Sequence, residues 1–349
     1  MKLGVWAKEL RIPFLSLPVI FVPLGIMVAL FDGFFNLNYG ILTLIGVLSL
    51  HASVNVLNDY FDYKSGIDTT TTPTPFSGGS RVLPEKLLTP NAVLIAGIIL
   101  LVIGSSIGFY FLNLFNYNII LLGIILVSVF SIILYSPLLS KVALGELFVF
   151  LNFGPLLFTG IYFIQSNGLI NIEPIIVGSI VGLMTTGILY INQFPDTVAD
   201  KSKGRYHIVA RLGKKRAVKL YNYIMGASYI IIILSVISSF VIGIGIPPTC
   251  IIALITFSLT PKGNFRTASK ILGDEYEKIM ELIPAMGNTV MTTIQTGILL
   301  LIGYIIWYGL TMLFPGAISL VPVVANKISI KKVEQTLYQS NITSLYETT

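Results

Sequence analysis

The chain has 349 residues, of which 54% are hydrophobic and only 11% charged. A soluble domain carries about 25% charge, so this chain has too little polar side-chain surface to coat a water-soluble globule and must be solvated mainly by lipid. One cysteine, Cys250, and two histidines, His51 and His207, exclude a disulfide framework and a zinc site built from Cys and His, and the net charge of +6 is distributed for a membrane rather than for nucleic acid.

A helix needs roughly 20 apolar residues to cross a bilayer. Nine segments meet or approach that requirement: about 14–31, 39–58, 91–112, 117–136, 145–165, 172–192, 218–243, 246–261 and 288–313. The eighth is short and is opened by Pro247 and Pro248. The N-terminus, MKLGVWAKELRIP, carries charge without a small-residue cleavage site, the pattern of a mature end rather than of a signal peptide. The connections alternate in character. Those after the first, third, fifth and seventh segments contain no Lys or Arg, whereas 19 of the 22 basic residues precede the first segment or lie in 59–90, 137–144, 193–219 and 262–287. The positive-inside rule therefore places the N-terminus and the long loops in the cytoplasm. Nine spans would leave the tail and its three lysines, Lys327, Lys331 and Lys332, on the other side. The expected architecture is an all-α polytopic bundle of about nine transmembrane helices spanning 1–313, followed by a tail, 314–349, of unassigned role.

Five of the 16 acidic residues fall in two short stretches, each at the cytoplasmic end of an even-numbered segment. In the first, HASVNVLNDYFDYKSGID, the residues His51, Asn55, Asn58 and Asp62 are spaced 4, 3 and 4 and share one helical face. Asp59 is adjacent, and Asp68 follows Gly66. In the second, YINQFPDTVADKSKGRYH, the residues Asn192, Asp196 and Asp200 are spaced 4 and 4. Like charges at i, i+4 repel unless a cation lies between them, and oxygen-only ligands suit a hard ion, Mg²⁺ or Mn²⁺. Mg²⁺ takes one or two carboxylates and completes its shell with water and phosphate oxygens, so two facing clusters would hold a diphosphate through bridging metals.

NDYFDYKSGID and NQFPDTVADKSKGR resemble the two signature segments of the UbiA superfamily of intramembrane aromatic prenyltransferases. The resemblance covers most of 1–313 and implies nine transmembrane helices with the Asp motifs at the cytoplasmic ends of the second and sixth. The widespread pattern is N-x-x-x-D-x-x-x-D. Asn58 and Asp62 fit it, but Gly66 stands at the third position and the acid arrives as Asp68. That longer spacing is similar to the branch that prenylates 1,4-dihydroxy-2-naphthoate on the way to menaquinone, as are FSGGSRVLPEKLLTP, LGELFVFLNFGPL, GRYHIVARLG and ELIPAMGNTV. A Thr/Pro-rich insert from Thr69 to Pro75, and His207 where Thr is more usual, depart from it.

The chemistry implied is ionisation of a polyprenyl diphosphate and attack on the allylic cation by an aromatic acceptor. Asp62 and Asp68 would hold one Mg²⁺ and Asp196 and Asp200 the other, with Asn58 and Asn192 ligating or orienting them and Asp59 and Asn55 supporting substrate. Arg81, Lys141 and Arg205 are the candidates for diphosphate oxygens. Lys64, Lys201 and Lys203 serve either there or as membrane anchors. The loop 59–90, with Gly66, Gly78 and Gly79, can close as a lid that excludes water. Gly182 and Gly187 line a prenyl groove or allow close helix packing. Tyr60, Phe61, Tyr63 and Phe153 are candidates for stabilising the cation through their ring faces. The rivals are the same chemistry on hydroxybenzoate, a chlorin or haem ring or a glyceryl ether phosphate, and an ion-coupled secondary transporter, whose carboxylates would lie nearer the membrane midplane.

Overall fold

A computed structural model describes residues 2–314, and every regular element in it is helical. The expected tail lies outside the described residues from 315 onward. After a short N-terminal helix α1 (Lys2–Glu9) come α2 (Ser16–Phe31), α3 (Leu37–Ser65), α4 (Pro90–Leu114) and α5 (Ile119–Leu134). They are followed by α6 (Gly145–Phe153), α7 (Pro155–Gln165), α8 (Ile172–Ser202), the short α9 (Ile208–Leu212), α10 (Lys214–Val241), α11 (Phe265–Glu275) and α12 (Ile283–Leu313).

Among the described residues, eight helical stretches are long and apolar enough to cross a membrane. The difference from the expected nine falls at the eighth segment. There the chain makes only a ten-residue 3₁₀ turn, Pro248–Phe257. Gly243 and Gly245 take positive φ just before it, a turn that ends α10, and Pro247 and Pro248 then open the new short piece, where a missing N–H is tolerated. The short piece is held instead against its neighbours: Thr256 bonds Thr296 of α12 at 2.9 Å and Tyr229 of α10 at 3.1 Å.

The fifth span is bent. α6 stops and α7 starts at Gly154, because Pro155 has no N–H to continue the ladder. The bend presses backbone directly onto α8: a Cβ on Gly154 would lie 2.7 Å from the Gly178 carbonyl oxygen, and one on Gly182 would lie 2.8 Å from Gly154 Cα. Gly187 similarly receives Met225 of α10. Both Gly182 and Gly187 therefore serve packing, and neither borders a cavity described below. α8 is the most buried of the eight spans, and the main core gathers around it from α2, α7, α10 and α12.

Length positions the two motifs. α3 has 29 residues and α8 has 31. At 1.5 Å per residue each is more than about 43 Å long, against a hydrocarbon core of about 30 Å. Twenty residues from Leu37 reach position 56, and twenty from Ile172 reach 191, so Asn58 to Asp62 and Asn192 to Asp200 extend beyond the hydrocarbon on one side. Acids at that depth are not the midplane carboxylates of a transporter.

The α6–α8 contact is testable. Gly182→Val places side-chain carbons against fixed backbone, an overpacking that costs about 1–3 kcal/mol. A lower thermal-unfolding midpoint in detergent is expected for this variant. Gly226→Ala, mid-helix in α10 where a Cβ meets nothing within 4 Å, is expected to leave the midpoint unlowered or slightly raised, because Ala favours a helix interior over Gly.

Candidate active site

The C-terminal ends of α3 and α8 meet under the loop that follows α3, enclosing a polar cavity of about 120 Å³. Asn58, Asp62, Asp68, Asn192, Asp196 and Asp200 all line it. Asn58 donates to Asp62 Oδ2 at 3.2 Å and to Ser136 Oγ at 2.7 Å. Ser136 is available because α5 opens into a π-turn over Tyr135–Leu139 around Pro137, a widening common at functional sites. Gly66 ends α3 in the left-handed region at φ 74°, and the Ile67 N–H returns to the Asp62 carbonyl at 3.0 Å. This turn brings Asp68 back over the cavity, which explains why an acid two residues later than the widespread pattern still faces the same space. Gly79, at φ 75°, lies against the Asp68 carboxylate, and a Cβ there would sit 3.0 Å from Oδ1.

Arg205 forms a forked ion pair with both oxygens of Asp62, and its Nη1 lies 3.7 Å from Asp200 Oδ1. His207 Nε2 lies 3.2 Å from Asp200 Oδ2, off the hydrogen-bonding line, while its Nδ1 accepts the Ala210 N–H at 3.2 Å and caps α9. Burial works against the Arg205 charge, but Asp62 and Asp200 raise its pKa above the ordinary arginine range. Asp68 is pushed up to about 8 by burial and by the carboxylates of Asp62 and Asp59. Four carboxyl groups against two guanidinium groups line the cavity, and the helix dipoles favour a cation further, because two C-terminal ends point at it. Asn192 Oδ1, Asp196 Oδ1 and Asp200 Oδ1 are buried without a hydrogen-bond partner. Three open oxygens in an acidic, polar space are the donor set a hard divalent cation requires. Among the described residues no three Asp, Glu, His or Cys side chains are already drawn together as a metal centre.

The polar cavity continues into an apolar chamber of about 340 Å³. Arg11, Asn58, Phe76, Tyr135, Leu189 and Asn192 border both. Along α3 the chamber runs from Asn58 to Thr43, roughly 22 Å at 1.5 Å per residue. Its far end meets a buried cluster of Phe111, Leu121 and Ile164.

An acidic cavity at two helix ends, opening onto a long apolar chamber, accords with what the whole sequence matches: the UbiA prenyltransferase family, over residues 17–270. The chain belongs to the UbiA prenyltransferase family. It is 28% identical over 190 residues to UbiA prenyltransferase domain-containing protein 1 of Rattus norvegicus, covering 54% of each chain. The chain thus spans about half the length of that curated relative. It is 25% identical over 296 residues to the 1,4-dihydroxy-2-naphthoate octaprenyltransferase of Bacillus subtilis, covering 84% of this chain and 90% of the other. Its fold is similar to a UbiA homolog from Archaeoglobus fulgidus solved with DMAPP and Mg²⁺, at a TM-score of 0.50 and 13% identity over 85% of this chain and 98% of that one.

Not every residue singled out from sequence reaches this UbiA-family cavity. Asp59, Arg81 and Lys141 do not line it. Asp59 pairs with Arg11 and accepts the Ser80 N–H at 2.8 Å, and so does not open onto the cavity. Arg81 donates to the Asp68 carbonyl and so braces the lid. The Lys141 carbonyl accepts the Tyr206 N–H at 3.2 Å, while its neighbour Ser140 borders the cavity. Asn55 lines the apolar chamber and donates to the Leu10 carbonyl at 3.2 Å. Of the four aromatics considered, only Phe153 borders a cavity; Tyr60 and Phe61 pack on each other, with Lys64 over the Tyr60 ring.

The residues that sequence reasoning passed over are Arg11, Phe76, Tyr135 and Glu9. Tyr135 and Phe76 stand at the junction of the two cavities. Phe76 is placed by the Thr/Pro insert, whose Thr74 Oγ1 accepts the Phe76 and Ser77 N–H groups at 3.2 and 2.9 Å. Arg11 reaches the site from the turn between α1 and α2; burial works against its charge, but the carboxylates of Asp59, Asp68 and Asp62 raise its pKa. A lone basic residue ahead of an apolar run carries no signal that separates such a role from a membrane anchor.

Glu9 ties α1 to the lid, since Ser80 Oγ donates to its Oε2 at 2.8 Å. Burial, then the Asp59 charge, raise Glu9 to about 7, with the Ser80 bond and Arg11 opposing. A carboxyl raised on folding contributes stability that is complete below its unfolded value and is lost as pH rises through its folded value. The thermal midpoint is therefore expected to fall between about pH 5 and pH 8, and Glu9→Gln is expected to flatten that fall in a pH series of unfolding curves.

Proposed function

We propose that the protein transfers a polyprenyl group from its diphosphate to an aromatic acceptor, 1,4-dihydroxy-2-naphthoate, with Mg²⁺ as cofactor and Mn²⁺ as an alternative. The observation that carries this is the continuity of the acidic cavity with the apolar chamber, which matches the two ends of an allylic diphosphate. Asp62 and Asp68 would hold one ion and Asp196 and Asp200 the other, with Asn58 and Asn192 beside them. The buried, unpartnered oxygens of Asn192, Asp196 and Asp200 support that assignment. Residues 1–313 form the catalytic unit in this reading. The basic residues gathered in the loops on the motif side support a multi-pass protein of the cell membrane with its site facing the cytoplasm.

Bound divalent cations supply charge neutralisation on the leaving diphosphate. Arg205 and Arg11 add fixed positive charge, and Arg205 exchanges part of its hold on Asp62 for phosphate oxygens. Such fixed charges would act strongly once the lid closes over the diphosphate and excludes water. The prenyl chain lies along α3 in the chamber, and the ring faces of Tyr135 and Phe76 border the place where the allylic cation forms. The 66–89 lid keeps water from quenching that cation. The acceptor ring supplies the electron pair for the new C–C bond, and with dihydroxynaphthoate the carboxylate on that carbon departs as CO₂, leaving its bonding pair to the ring. The naming of the Bacillus subtilis relative supports this acceptor.

Membranes containing the protein, given geranylgeranyl diphosphate and a panel of dihydroxynaphthoate, hydroxybenzoate and glyceryl ether phosphate acceptors, are expected to yield a prenylated naphthoquinol by mass. A product from another acceptor alone would replace the assignment. EDTA is expected to stop turnover and Mg²⁺ to restore it. Asp62→Ala and Asp196→Ala are each expected to lose at least about 100-fold in rate while remaining folded in detergent, a cost in line with removing a charge-stabilising group; near-normal turnover in either would remove that residue from the site.

A further inference from the structure

The chamber wall carries polar groups that neither end of a prenyl diphosphate uses. The diphosphate is matched by the acids and arginines of the polar cavity, and an isoprenoid tail has no hydrogen-bonding atoms. Yet His51 and Asn55, four residues apart on one face of α3, both border the chamber. His51 is 8% exposed, and its Nδ1 is buried without a hydrogen-bond partner. Leaving such a group unpaired costs about 1–3 kcal/mol. Thr43 Oγ1 and Ser105 Oγ are also unpartnered along this chamber, but a helical hydroxyl can rotate onto its own backbone carbonyl. An imidazole cannot. The His51 ring is held edge-on against Phe153, with centroids 4.8 Å apart and planes at 78°, so its orientation is set by packing. It stands seven residues from Asn58 on α3, roughly 10 Å from the polar site, beside the stretch where the first carbons of a prenyl chain would lie.

Resting on the prenyl-transfer reading above, we propose that His51 binds the acceptor, its imidazole hydrogen-bonding a hydroxyl or carboxylate oxygen of the aromatic ring while Phe153 packs against that ring. This gives the neutral polar stripe on α3 a ligand of matching chemistry: a flat, largely apolar body with a few oxygens. Asn55, whose Nδ2 is already engaged by the Leu10 carbonyl, still offers its Oδ1 to the same ligand. The group is a binding residue for the second substrate and holds no diphosphate or metal.

The test uses the full chain in detergent with 1,4-dihydroxy-2-naphthoate and geranylgeranyl diphosphate as probes. His51→Leu is expected to raise the KM for the acceptor about 10-fold or more, the value of one buried hydrogen bond, and to leave the KM for the diphosphate within about 2-fold. His51→Gln, which retains a donor and an acceptor, is expected to recover most of the loss. Equilibrium dialysis of the acceptor against wild type and His51→Leu gives the same comparison without turnover, and the glutamine variant serves if the leucine variant does not fold. An unchanged acceptor KM and binding in both variants, or a shift confined to the diphosphate KM, overturns the assignment while leaving prenyl transfer intact. No prenylated product from the wild type with any acceptor would instead remove the reading on which it rests.

Discussion

Carboxylates do not gather at the negative ends of two helices without something to neutralise them. Asp62, Asp68, Asp196 and Asp200 border one small cavity, and the dipoles of α3 and α8 add to their repulsion. Arg205 offsets part of this by gripping Asp62 and lying near Asp200. Asp196 keeps an open buried oxygen, and Asp68 holds its proton unusually tightly. The site is therefore built to gain from a cationic guest, and the rest of the molecule follows from keeping that imbalance intact. The lid needs glycines at Gly66 and Gly79 to bring Asp68 in, the π-turn at Tyr135–Leu139 frees Ser136 to orient Asn58, and α8 is clamped by close backbone contact with the α6–α7 bend.

The second constraint is length. Because α3 and α8 overrun the hydrocarbon, their acids can sit in a polar layer while the same helices, a few turns back, wall an apolar chamber. One pair of helices thus serves both ends of an amphiphile. The arrangement also separates three kinds of chemistry along one face of α3: acids at Asp62, amides at Asn58 and Asn55, and the imidazole of His51 above them. In the proposed reaction this segregation would let a charged leaving group, a short-lived cation and an aromatic ring each meet groups suited to it, with Tyr135 and Phe76 at the junction.

Much of this could be read from residue order. Lipid solvation, the helical class and the two acidic motifs are local properties: runs of apolar residues, the scarcity of charge, and spacings of 3 and 4. The eighth segment was legible as weak for a local reason as well, since it is short and two prolines open it. Family resemblance then joined the motifs, as the match over 17–270 shows.

Other features depend on which surfaces meet, and no spacing encodes that. Asp59 lies next to the motif in sequence, but Arg11 and Ser80 engage it and it does not border the cavity. Lys141 and Arg81 carry suitable charges, yet backbone turns hold them off the cavity wall. Arg11 and Glu9 of the N-terminal stretch, Phe76 and Tyr135 come from three separate segments and acquire roles only when the bundle closes. Burial is decided by packing as well, so His51, ordinary in a helical stripe, becomes an unpaired polar group only once Phe153 and the chamber surround it. The sequence by itself determined the membrane class and the chemistry of the motifs, because composition and helical period are set residue by residue. Only the tertiary structure decided which charges face the shared cavity, because that depends on contacts between residues far apart in the chain.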